Sequence, residues 1–117
     1  MGINIEFNPD LALRHIDYYK RGQRFLEECL PELLEAGKRY HFLKEGQRNY
    51  WLEGEIPLFQ TEGKGQFSRP LASIVILEAT HYTMEGTLFT KGMYEVMEVF
   101  DPADTRIHFE AMSRIKR

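Results

Sequence analysis

The sequence predicts an α+β domain: a small, mostly antiparallel, partly closed β-barrel with N-terminal helices packed on one side. Three observations lead there. Apolar residues recur at helical spacing between about Pro9 and Leu30. From Tyr40 onward the apolar period becomes two, with short connections between segments, which implies antiparallel neighbours. The run Ile74-Val75-Ile76-Leu77 is apolar at consecutive positions, so both its faces need cover. In a chain this small, a sheet that curls on itself supplies that cover. An open sheet with one helical layer is the alternative.

The elements follow in order. Ile3, Ile5 and Phe7 alternate with Asn4 and Glu6, a short strand with one buried face. Asn8-Pro9-Asp10 has the signature of a helix start: an N-cap side chain, a proline at the first helical position, and a carboxylate at the positive helix end. A helix is expected over about Pro9 to Arg21, with Leu13, Ile16 and Tyr19 inward and Gly22 ending it. A second helical piece over Gln23 to Leu30 turns Phe25, Leu26, Cys29 and Leu30 inward, and Pro31 stops it. Strands are expected around Tyr40 and Phe42, over Tyr50 to Leu58, over Leu71 to Tyr82 and over Leu88 to Phe100. A last strand runs through Ile107, Phe109 and Ala111. Thr61 to Gln66 reads as a flexible loop, Met84-Glu85-Gly86 and Asp101-Pro102-Ala103-Asp104 as turns, and Gly92 as a bulge.

Length and composition frame this as one domain spanning 1–117. An apolar fraction of 43% is enough for a core without staples. No apolar run approaches 18 residues, so no membrane span is expected. The first residues lack the basic and apolar regions of a signal peptide, and Glu6 stands where a myristoylation signal needs serine or threonine. With a single cysteine, Cys29, no internal disulfide forms, and a cytoplasmic location is expected. The net charge of −3 argues against a broad phosphate-binding surface. Residues 1–48 are nonetheless neutral, with eight basic and eight acidic side chains, so an anion site would be a local cluster.

Several chemistries are missing from the motif inventory. There is no G-x-G-x-x-G or Walker-type loop, no C-x-x-C, and no G-x-S-x-G elbow. His15, His41, His81 and His108 form no i, i+4 pair. No cofactor and no metal site is expected.

Some residues are hard to explain by folding alone. In Lys44-Glu45-Gly46-Gln47-Arg48-Asn49-Tyr50-Trp51, cations sit beside two aromatics. A guanidinium forks onto phosphate or carboxylate, and aromatic faces stack on bases. The structural alternative is a polar turn followed by two core aromatics. Lys38 and Arg39 stand at the entry to the first barrel strand, where they line a mouth or are simply solvated. Arg69, before Pro70, is placed to reach across the flexible loop. Arg14, Lys20, Arg21 and Arg24 with Tyr18 read as a solvated helical face diluted by Asp17, Glu27 and Glu28. Glu78 closes the most apolar strand. Desolvated, it would serve as a general acid or base; paired or at a solvated edge, it would be structural. His81 and Tyr82 lie near it.

Three segments carry a family resemblance: Leu34-Glu35-Ala36-Gly37-Lys38-Arg39-Tyr40, Ala72-Ser73-Ile74-Val75-Ile76-Leu77-Glu78-Ala79 and Gly92-Met93-Tyr94-Glu95-Val96. Their order resembles the PUA-like superfamily, and its ASCH domains in particular, over about residues 23–100. The resemblance implies a cleft beside the barrel that takes RNA or a nucleotide-like ligand. It also implies, for some members, an amidohydrolase acting on acetylated cytidine through a lysine, a threonine and a glutamate. Lys38 and Glu78 match the lysine and the glutamate, while no threonine stands near Lys38.

The reading favoured by these residues is a binding module for RNA or a nucleotide-like ligand, held by Lys38, Lys44, Arg48 and Arg69 and stacked on Tyr50 or Trp51. A small hydrolase using Glu78 with Lys38 or His81 is the second reading. A protein-interaction or homodimerisation domain is the third, with the oligomeric state open.

Overall fold

A computed structural model describes residues 7–52, 54–63 and 66–101. The fold it shows is mostly sheet. Strand β1 is Leu11–Leu13, β2 is Arg39–Glu45, β3 is Glu55–Gly63, β4 is Gln66–Phe67, β5 is Ala72–Met84 and β6 is Thr87–Val99. They form one sheet in the order β1-β3-β5-β6-β2, with β4 paired to β3. β1 runs parallel to β3, and every other pair is antiparallel.

The barrel with packed N-terminal helices is therefore overturned. The sheet is open, since no backbone ladder joins the edge strands β1 and β2. It still curls enough for Lys44 on β2 to donate from Nζ to the Ala12 carbonyl on β1. The expected helix over Pro9 to Arg21 is replaced by β1 and a single four-residue turn, α1 (Asp17–Lys20). Leu11 and Leu13 are buried completely or nearly so, and Ala12 is buried as well, which no one-sided helix allows. The Asn-Pro-Asp cap signal is worth about 1 kcal/mol. Burying two leucines is worth about 2 kcal/mol each, so tertiary packing wins. Asn8 uses its cap chemistry elsewhere. Its side-chain oxygen accepts from Asn49 N–H at 2.9 Å, and its own N–H donates to Asn49 C=O at 2.7 Å.

The second expected helix shrinks to a 3-10 turn, Leu26–Glu28. Phe25 and Leu26 are about half exposed there, and only Cys29 and Leu30 are buried. They are drawn in by a parallel bridge from Cys29 to Arg14. The expected loop over Thr61 to Gln66 instead contains the end of β3 and the start of β4, which pair through Thr61 and Phe67. Most of the first expected strand and all of the last, through Ile107, lie outside the described residues.

The Ile74 to Leu77 run has a simpler explanation than two covered faces. Ala72, Ile74 and Ile76 are fully buried, while Val75 and Leu77 are half-buried on the opposite face. The core therefore lies on one side: Leu11, Leu13, Leu58, Ile74, Ile76, Phe42, Tyr94 and Val96 pack together. The Gly92 expectation is displaced by one strand. The ladder slips in β5 between Ile76 and Glu78, opposite Met93, while a second slip lies between Ser73 and Ile74. Gly92 answers a close approach, because a Cβ there would stand 2.0 Å from the Glu78 carbonyl oxygen. The turn expected at Met84-Glu85-Gly86 is present, with Glu85 and Gly86 both at positive φ, as a two-residue hairpin requires.

Candidate anion-binding cleft

Where the curled edges approach, a cleft of about 220 Å³ opens. Its polar lining comes from Asp10, Arg14, Lys44 and Arg48, and its aromatic lining from Tyr50 and Phe67. Ala12, Thr61 and Gly63 complete it. Three stretches far apart in the chain supply these groups, and the sheet order brings them together. β1 carries the first stretch in parallel against β3, and β2 delivers the second from the opposite edge.

The best-anchored of these residues is Arg48. Thr90 on β6 is fully buried, and its Oγ1 accepts from Arg48 N–H and donates to Gly46 C=O, both at 2.9 Å. Gly46 takes the positive φ that this turn demands. His81 Nε2 lies 2.9 Å from the Arg48 carbonyl. A carbonyl only accepts, so the ring is protonated at Nε2. Arg48 Nε donates to Glu45 C=O at 3.2 Å, and among the described residues no hydrogen bond engages its terminal amino groups.

Arg14 arrives with its backbone fixed on both sides. Its N–H donates to Glu28 C=O at 3.0 Å, and its C=O accepts from Leu30 N–H at 2.8 Å. The guanidinium lies over the Tyr18 ring at 5.4 Å and against Gly63, whose missing Cβ makes the room. Tyr18 is held in turn by donating to Glu62 at 2.9 Å. Tyr50 is buried and meets Phe42 edge-on at 5.5 Å, while Phe67 is 54% exposed with its ring 5.7 Å from Phe59. Phe67 is thus the ring face a ligand can reach.

Three cations against one carboxylate leave two positive charges in a protein whose total is −3. Among the described residues, no ion pair within 4 Å joins Asp10 to Lys44 or Arg48. Burial pulls the Lys44 ammonium down to about 8, and the neighbouring Arg48 and Arg14 push the same way. Burial also raises the Asp10 carboxyl, outweighing the opposite pull of Lys44 and Arg48. Burial raises the Tyr50 phenol as well, so it stays protonated at any physiological pH. No group of three or more metal-ligating side chains occurs among the described residues.

Of the residues singled out in the sequence, Lys44, Arg48 and Tyr50 converge here. Lys38, Trp51, Arg69 and Glu78 do not line the cleft. Lys38 is ion-paired with Glu35 at 2.7 Å. Trp51 is 62% exposed, with Phe7 as its ring neighbour at 5.7 Å. Arg69 and Glu78 are exposed, Glu78 directly after the slip in β5. Sequence reasoning missed Asp10 and Phe67 as site residues, and it placed Arg14 on a solvated helix face. The only local clue was that Asp10 and Arg14 flank the apolar Leu11-Ala12-Leu13.

No described helix is long and apolar enough to cross a membrane. No family model matches the chain, and no curated protein or solved structure matches it either.

Proposed function

We propose that this domain binds RNA or a nucleotide-like ligand in the cleft between β1 and β2. The phosphate is held by Arg14, Lys44 and Arg48, and the base lies against Phe67 with the Tyr50 edge behind it. The supporting observation is the convergence of three cations, from opposite edges of the sheet, in one half-buried cleft, with no carboxylate of the described residues within 4 Å of them. Bidentate guanidinium contacts suit a phosphate, and the partly desolvated setting strengthens them. The size of the cleft favours one nucleotide unit over a long track, as does the negative charge of the whole chain.

Calorimetric titration at low salt tests this, using a nucleoside monophosphate, its nucleoside and a short single-stranded RNA. Saturable binding of the phosphorylated ligands, weakened at least ~tenfold in the double variant Arg14→Ala/Arg48→Ala, is the expected result. Equal affinity for the nucleoside and its phosphate, or no change in the double variant, overturns the assignment.

A further inference from the structure

Lys44 stands apart from the other described lysines. Lys20 and Lys38 are exposed and ion-paired, at 3.1 Å to Glu32 and 2.7 Å to Glu35, and Lys91 lies over the Tyr82 ring at 5.1 Å. Lys44 is recessed in the cleft, and among the described residues its one hydrogen bond is donated to a neutral acceptor, the Ala12 carbonyl. A neutral amine keeps that bond through one N–H and still has its lone pair. The bond therefore fixes the nitrogen in place without consuming its reactivity. Arg14 and Arg48 line the same wall, and Asp10 completes it.

We infer that Lys44 is a nucleophile that captures small aldehydes or oxo acids bearing a phosphate or carboxylate, with Arg14 and Arg48 docking the anion and Asp10 carrying the proton. The inference rests on the cleft being an anion site, as proposed above, and adds covalent chemistry to it. The neutral Nζ adds to the carbonyl carbon, forming the C–N bond. The C=O π pair moves to oxygen, and the Asp10 carboxylate carries one proton from the nitrogen to that oxygen. It then carries the second N–H proton to the hydroxyl, which departs as water. The C=N bond of an imine remains. Only water is released, and no oxidant or reductant enters. The burial and the two guanidiniums that lower the Lys44 ammonium to about 8 leave a usable fraction of free amine near neutrality.

The experiment uses pyridoxal 5′-phosphate as a phosphorylated aldehyde probe and pyridoxal as its phosphate-free control. Borohydride traps the imine, and peptide mass spectrometry locates it. The expected result is one label per chain at Lys44, rising with pH around a midpoint near 8 and at least ~tenfold more complete with the phosphate than without it. Lys44→Arg keeps a donor to Ala12 but cannot form the imine, so its label should vanish while circular dichroism is unchanged. Labelling spread evenly over Lys20, Lys38 and Lys91 overturns the inference, as does an undiminished label in Lys44→Arg. The two readings fail separately. Saturable nucleotide binding at pH 6 with no trapped imine at pH 8.5 overturns the covalent step and leaves the binding reading intact. A Lys44 label that is indifferent to the phosphate overturns the docking role of Arg14 and Arg48.

Discussion

Individual residues in this protein carry unequal loads, and two fully buried side chains on β6 show the contrast. Thr90 satisfies both its donor and its acceptor capacity within the turn that holds Arg48. Tyr94 is equally buried, yet its hydroxyl has no hydrogen-bond partner among the described residues. The ring itself is well used, since it packs 5.6 Å from Tyr40 and 6.4 Å from Phe42. An unmade hydrogen bond in the core costs about 1–3 kcal/mol. Tyr94→Phe deletes the unsatisfied oxygen and keeps the ring, so it should leave stability unchanged or raise it by about 1 kcal/mol. Urea unfolding with a constant m-value checks this, and a loss beyond about 1 kcal/mol would show that the hydroxyl has a partner after all.

At the scale of elements, the turn between β2 and Tyr50 is held by β6, which it crosses, more than by its own sequence. Thr90→Val preserves shape but strands the Arg48 N–H and the Gly46 carbonyl. A cost of about 2 kcal/mol follows from two lost hydrogen bonds. Ligand affinity should fall as well, because Arg48 is then no longer aimed. Stability and titration measured on the same variant separate the two effects: an affinity loss that exceeds the unfolded fraction reports on positioning. Legibility in the sequence follows the same division. Lys44, Arg48 and Tyr50 were readable because one short connection carries all three. Asp10 and Arg14 were not, because they reach the cleft only through the parallel pairing of β1 with β3, which local spacing does not encode. The Asn8-Pro9-Asp10 signal even pointed to the wrong element. Capping energies near 1 kcal/mol are small beside the burial of Leu11 and Leu13. The β5–β6 hairpin was legible because a two-residue turn and period-two burial are local properties.

For the molecule as a whole, the burial of Lys44 in the cleft is a source of instability. Lys44 is held near 8 in the fold and near its ordinary 10.5 in the unfolded chain. Between those values the unfolded chain binds more protons, so the Lys44 contribution makes stability rise with pH there. Most of that contribution is complete by about pH 10.5 and absent below about pH 8. Its full size is about 1–3 kcal/mol after allowance for solvent screening. Chemical unfolding of wild type and Lys44→Met at steps from pH 7 to 10.5 isolates it. The wild-type stability should rise relative to that of Lys44→Met across that window, and parallel curves would contradict a depressed Lys44. A phosphate in the cleft acts in the opposite direction, favouring the ammonium and adding binding free energy to the fold.

The strand order also has a consequence for how the chain is made. Among the described residues β2 has one ladder partner, β6, which begins more than forty residues later. A chain emerging from the ribosome carries Arg39–Glu45 as an unpaired strand until nearly the whole sheet has been synthesised. During that interval Phe42 and Leu43 have no sheet to cover them, although both are buried in the finished fold. The charged residues around them, Arg39, Lys44 and Glu45, then serve as gatekeepers against premature pairing with other chains. Lys44 thus belongs both to the cleft and to the period before the cleft exists.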